Sequence, residues 1–312
     1  MVIGHKKQWE LLRRKFEQGQ LSHAYMFIGP GEIGKKTFAL EFVKLINSTD
    51  KEAQERNSKL IDQGQHPDVL MVAPKEESEI QIAQIREVQQ FLSLKPYYSQ
   101  FKAVIIDQAD KMNQEAQSCF LKTLEEPKGN TILILVTARP DMMLSTISSR
   151  AQAVKFFNVK KAEIKDYLAT IGIEEKKAEL ISFISEGKLG RAIKLAKDET
   201  IMEADKKLLK EAVSACQADL ATKFAYIKAL PEENYLGALE AMKNYFRYVL
   251  FSRIGINGYF GEGYFPVIGE KFKVIPVSKV KQIIQLIETI DFRILTTNIN
   301  KKLALEVLLL EI

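Results

Sequence analysis

Short apolar runs alternate with amphipathic stretches through the first half of the chain, and only amphipathic stretches follow in the second. Residues Ala24–Ile28 form an apolar run bounded by polar residues and glycine, which predicts a buried strand. A glycine-rich loop occupies 29–34, and 35–47 has helical spacing through Phe38, Phe42 and Leu45. Val69–Val72 predicts a second strand, and 79–94 carries a helical stripe at positions 82, 85, 88, 91 and 92. The β-rich runs 103–106 and 132–137 show no alternation, which predicts strands covered on both faces. Such strands separated by helices imply a parallel α/β sheet.

The pattern changes after residue 158. Strand-like runs give way to Lys/Glu-rich amphipathic helices near 160–171, 174–185 and 189–198. Beyond 204 the pattern stays helical, with 235–254 and 279–311 the longest stretches, interrupted by a Gly/Tyr/Phe/Pro loop at 255–276. These readings predict an α/β domain over 1–157, a small helical domain over 158–203 and an all-helical domain over 204–312. Neither Trp9 nor the aromatic cluster at 259–265 suggests a role.

At 312 residues the chain exceeds one typical domain. Its 46% apolar and 27% charged content excludes a disordered chain. The longest apolar runs, 131–138 and 303–310, are too short to span a bilayer. No signal peptide is expected, because His5, Lys6, Lys7 and Glu10 interrupt any early apolar stretch. Two cysteines, Cys119 and Cys216, provide neither a disulfide framework nor Cys-based zinc spacing, so the cytoplasm is the expected compartment. A net charge of +5 is mild and selects no partner.

The segment Gly29-Pro-Gly-Glu-Ile-Gly-Lys-Lys36 departs by one residue from the phosphate-binding loop pattern. Gly29, Gly31 and Gly34 would let backbone N–H groups curl around phosphates at a helix N-terminus. Lys35 stands where the phosphate-contacting lysine belongs. Lys36 replaces the hydroxyl that ligates magnesium, and Thr37 comes one place too late. An ammonium about 4 Å from a divalent ion costs roughly 8 kcal/mol at an effective dielectric near 20. A plain strand–helix turn is the competing reading, and the position between strand and helix favours the phosphate loop.

A second departure lies in Val104-Ile-Ile-Asp-Gln-Ala-Asp-Lys-Met112. An active P-loop ATPase of this type places Asp for magnesium and then Glu to polarise the attacking water. Asp107 is present, but Gln108 holds the glutamate position, and an amide cannot accept the proton. Magnesium-dependent hydrolysis in this chain's own site is therefore not expected.

Several motifs together resemble bacterial clamp-loader subunits of the AAA+ class, delta-prime more than gamma or tau. They are Leu21-Ser-His-Ala-Tyr-Met-Phe27, His66-Pro-Asp68, Ile85-Arg86, the segment 102–113 and Leu121-Lys-Thr-Leu-Glu-Glu-Pro127. Thr146-Ile-Ser-Ser-Arg150 and Gly190-Arg-Ala192 follow in order. Asn298-Ile-Asn-Lys-Lys-Leu-Ala-Leu-Glu306 looks like the final collar helix.

The resemblance implies an AAA+ domain, a helical lid and a helical collar. It implies that Ser149 and Arg150 match a Ser-Arg-Cys motif whose arginine reaches a neighbouring subunit's ATP site, with Ala151 in place of the cysteine. A permanently charged, forked guanidinium suits that task. Thr137 and Arg191 fall where the family has its two sensors, and in an inactive site both are relics or local helix-capping and salt-bridge groups. Arg86 falls in the helix that, in the loaders this chain resembles, lines the chamber around primed DNA; a solvated helix-face charge is the competing reading of equal weight. The implied partners are gamma/tau motor subunits, delta, the sliding clamp indirectly and primed DNA through the assembly, with no membrane. No cofactor is expected, although the loop retains the means to bind nucleotide without catalysis. The family's zinc module is also not expected, since 47–65 contains no cysteine. An active gamma/tau-like ATPase or other AAA+ motor is the first alternative, and an initiator-like DNA-binding module the second.

Overall fold

The computed structural model describes residues 3–47, 51–75, 79–255, 264–265, 268–297 and 299–312. The chain divides into two compact units, Met1–Ile164 with Gly187–Arg191, and Lys165–Glu186 with Ala192–Ile312.

The first unit is built on five parallel strands: β1 (Ala24–Ile28), β2 (Val69–Val72), β3 (Lys102–Ile106), β4 (Thr131–Thr137) and β5 (Gln152–Lys155). Their spatial order is β2-β3-β4-β1-β5. Helices α1 (Lys6–Glu17), α2 (Lys35–Ile46), α3 (Lys51–Asp62), α4 (Ile82–Ser93), α5 (Gln114–Glu125) and α6 (Ser145–Ser148) connect them. The expected α/β architecture is present. Because successive strand residues face opposite sides, Met26, Val104, Ile106, Leu133 and Leu135 pack with Ile85, Val88, Phe120 and Leu124 on one face. Tyr25, Phe27, Ile105, Ile134 and Val136 pack with Leu12, Phe38, Phe42 and Val43 on the other. Both faces are covered, so β3 and β4 read as unbroken apolar runs. Edge strand β5, with Val154 alone fully buried, lacks such a run and escaped the sequence reading.

Trp9 acquires a structural place here. It meets Phe38 edge-on at 5.5 Å, within a cluster where Phe38 and His5 each lie 4.9 Å from Phe156. Such pairs contribute about 0.5–1.5 kcal/mol each beyond burial, and they fix the base of the loop that follows β1.

Helices α7 (Lys161–Thr170), α8 (Glu175–Ile184), α9 (Leu189–Lys197), α10 (Glu199–Gln217), α11 (Leu220–Ala229) and α12 (Tyr235–Arg253) follow. They are succeeded by α13 (Glu270–Val274), α14 (Val277–Thr296) and α15 (Lys301–Glu311). In the second unit α12 packs against α10 and α14, burying Leu239, Met242, Phe246 and Val249. Two readings need correction. The stretch 279–311 is not one helix: it stops at Thr296, and Asn300 opens α15 by accepting a hydrogen bond from Leu303 N at 3.0 Å. Nor is 255–276 wholly a loop, since Glu270–Val274 is helical. The remainder of that segment at 256–263 and 266–267 lies outside the described residues, as do Tyr259 and Phe260 of the aromatic cluster and Asn298. Among the described residues no helix is long and apolar enough to cross a membrane.

Candidate functional site

The parallel sheet gathers the candidate residues at one edge. The loop after β1, Asp107 after β3 and Thr137 at the end of β4 all lie at the C-terminal ends of neighbouring strands, where α/β sheets bind ligands. Ile28 pairs with Thr137, and Gly29 N donates to Thr137 O at 3.3 Å.

The loop at 29–34 is clamped by the chain's own donors. Lys35 is 6% exposed, and its Nζ donates to Gly29 O at 2.6 Å and Pro30 O at 2.5 Å. Gly190 N donates to Glu32 O at 2.6 Å, and the buried His5 ring nitrogen lies 3.1 Å from Ile33 O. A side chain at Gly190 would place its Cβ 2.6 Å from Glu32 O, so the motif preceding Arg191 needs glycine for this approach. Gly34, with φ of 97°, turns the chain into α2 from a left-handed conformation that glycine adopts without strain. Gly31 lies in the same loop, with open space about it. Arg191 lies in the first turn of α9.

Burial lowers the Lys35 pKa to about 8, against the opposing pull of Asp110 and Asp107. The sign of the pH dependence follows. The folded chain releases this proton near pH 8 and the unfolded chain near 10.5, so folded-state stability rises with pH between those values. Lys35→Met is expected to flatten that rise in denaturant titrations. Equal slopes in both proteins would contradict the assignment.

Lys36 lies beside Asp107. Its Nζ lies 3.5 Å from Asp107 Oδ2, with Asp107 only 15% exposed. The carboxylate that would hold a divalent metal faces an ammonium instead, and Thr37 is exposed one residue further on. These residues do not fit magnesium. Gln108 is exposed and left-handed, with φ of 51°, and its N–H donates to Asp107 Oδ1 at 3.1 Å. Thr137 likewise has an internal partner. The Thr137 hydroxyl donates to Asp110 Oδ1 at 2.5 Å and accepts from Arg139 N at 2.9 Å.

Ser149 and Arg150 follow α6. Arg150 is exposed, and one of its terminal nitrogens lies 2.8 Å from Glu125 Oε1. The other donates to Thr146 O at 3.0 Å. Arg86 lies exposed on α4.

A family profile described as “DNA polymerase III, delta subunit” matches residues 4–160. The chain belongs to this family. DNA polymerase III subunit delta' of Bacillus subtilis (strain 168) is 33% identical over 205 residues, covering 64% of this chain and 62% of the relative. Subunit delta' of Pseudomonas aeruginosa is 32% identical over 139 residues, 43% and 42% of the two chains. Subunit tau of Bacillus subtilis is 28% identical over 205 residues, 62% of this chain and 36% of the relative. The chain thus matches less than two thirds of each of these relatives' length.

For this DNA polymerase III delta-family chain, sequence reasoning missed four features. His5 and Gly190 hold the loop at 29–34, and Asp110 holds Thr137. Asp68, the last residue of the His66-Pro-Asp68 motif, is fully buried. Its carboxylate accepts from the N–H groups of Tyr97 and Tyr98 at 2.7 Å and Ser99 at 3.0 Å. His66 Nδ1 accepts from Asp68 N at 3.1 Å, and burial lowers the His66 pKa, keeping the ring neutral for that role. Asp68 and Gly190 each stand within a sequence motif, but their partners lie far away along the chain.

Proposed function

We propose that this chain is a non-catalytic, delta-prime-like clamp-loader subunit: it completes a neighbouring motor subunit's ATP site and hydrolyses no ATP in its own. The observation that carries this reading is the Lys36 ammonium 3.5 Å from Asp107, beside Gln108 where a general base would stand. Ground-state nucleotide binding through the loop remains compatible with it, and catalysis through a magnesium ion does not. Zinc and other cofactors play no part in this proposal.

Arg150 supplies what the chain contributes in trans, with Ser149 beside it. A guanidinium delivered to a phosphate presents forked donors matched to two oxygens. Motor subunits of the gamma/tau kind and a delta subunit are the partners, the sliding clamp is engaged through the assembly, and the setting is cytoplasmic DNA replication. Residues 158–203 act as a lid and 204–312 as a collar. Leu303, Val307 and Leu310 form an exposed apolar stripe on α15 at helical spacing, suited to packing on another helix.

The test is ATP turnover by a motor subunit with and without this chain. Stimulation is the expected result, and its absence in a mixture shown to assemble contradicts the reading. Arg86 on α4 tracks DNA phosphate in this proposal. Arg86→Glu is expected to lower primer-template binding by the assembly and to reduce the salt slope by about 1. An unchanged slope removes Arg86 from the DNA path.

A further inference from the structure

We propose that Glu125 is a positioning residue that holds Arg150 withdrawn until a neighbouring subunit's phosphate competes for it. The proposal rests on the reading of Arg150 as a group that acts on that neighbour. As folded, the guanidinium is exposed but engaged by acceptors of its own chain. Its contacts are Glu125 Oε1 at 2.8 Å, Thr146 O at 3.0 Å and Ser149 Oγ at 3.4 Å, which commit three of the five N–H donors an arginine carries. A forked approach to phosphate therefore requires Arg150 to leave Glu125.

The placement of Glu125 fits such a role. It is the last residue of α5, where a carboxylate is opposed by the negative end of the helix dipole. Arg150 offsets that charge while docked there. Glu125 sits inside the Leu121–Pro127 motif, next to Leu124, which packs against the sheet. The pair is solvent-exposed, at 38% for Arg150 and 51% for Glu125. Such a pair is weak and reversible, so a multiply charged phosphate displaces it. The restraint then raises the ATP concentration the neighbouring site needs and leaves the seated state unaltered.

The experiment is ATP turnover by the assembly of this chain with motor subunits, comparing wild type, Glu125→Gln, Arg150→Ala and the double variant. Glu125→Gln is expected to lower KM by about two- to fivefold with kcat unchanged, because a weak competing state is removed. That difference shrinks as salt is raised, since screening already loosens the wild-type pair. In the Arg150→Ala background Glu125→Gln has no effect. A KM unchanged or raised by Glu125→Gln overturns the proposal, as does an equal gain in the Arg150→Ala background. The two layers separate. If Arg150→Ala removes stimulation and Glu125→Gln leaves KM alone, only the restraint fails; if Arg150→Ala is inert, the trans role fails and the restraint with it.

Discussion

Arg150→Ala is expected to lower turnover at the neighbouring ATP site by on the order of 10³-fold, while the isolated chain melts as wild type does. Guanidinium groups supplied in trans to a transferring phosphoryl group have effects of about this size or larger. A factor of 10³ is about 4 kcal/mol of transition-state stabilisation. No comparable folding loss accompanies it, because the side chain is exposed and its ion pair with Glu125 is a surface contact. Arg150→Lys is expected to recover only part of the rate, since an ammonium keeps the charge and loses the fork. The measurement is single-turnover hydrolysis by a motor subunit paired with each variant. Wild-type rates with Arg150→Ala would remove the trans role.

Asp68→Ala is expected to destabilise the first unit by about 3 kcal/mol, from the loss of charge-assisted bonds to three backbone donors. Tyr97, Tyr98 and Ser99 would lose their acceptor together, and Asp68 is fully buried. For a unit of this size that loss corresponds to a fall of about 6–12 °C in Tm. Ser99→Ala is the control. Its hydroxyl is buried without a hydrogen-bond partner among the described residues, so its removal is expected to leave Tm near wild type. An Asp68→Ala protein melting within a degree or two of wild type would show that the loop does not depend on this carboxylate.

What the sequence made legible was chemistry carried by adjacent residues. The glycines and lysines at 29–36 are covalent neighbours, as are Asp107 and Gln108, so their type and spacing could be read before any fold was known. The central strands were legible for a related reason: two covered faces leave no polar position to interrupt the run. Edge strand β5 has one fully buried residue and therefore left no such signature. The break between α14 and α15 was hidden because apolar spacing continues across it, although Asn300 is a capping residue by type. The pairs Asp68 with 97–99, Asp110 with Thr137, Glu32 with Gly190 and Glu125 with Arg150 were invisible. Each joins residues that meet only because the strand order and the loops beside it bring them together. Lys36 could be read as a missing ligand from sequence. That its ammonium faces Asp107 required the fold.

The proposed lack of hydrolysis rests on Lys36 and Gln108, which occupy the places a magnesium ligand and a general base would take. Its most direct test is steady-state ATP turnover by the purified chain alone in the presence of magnesium. The expected result is a rate at background, the same for wild type and Lys35→Ala. Sustained turnover by wild type that Lys35→Ala abolishes would contradict it.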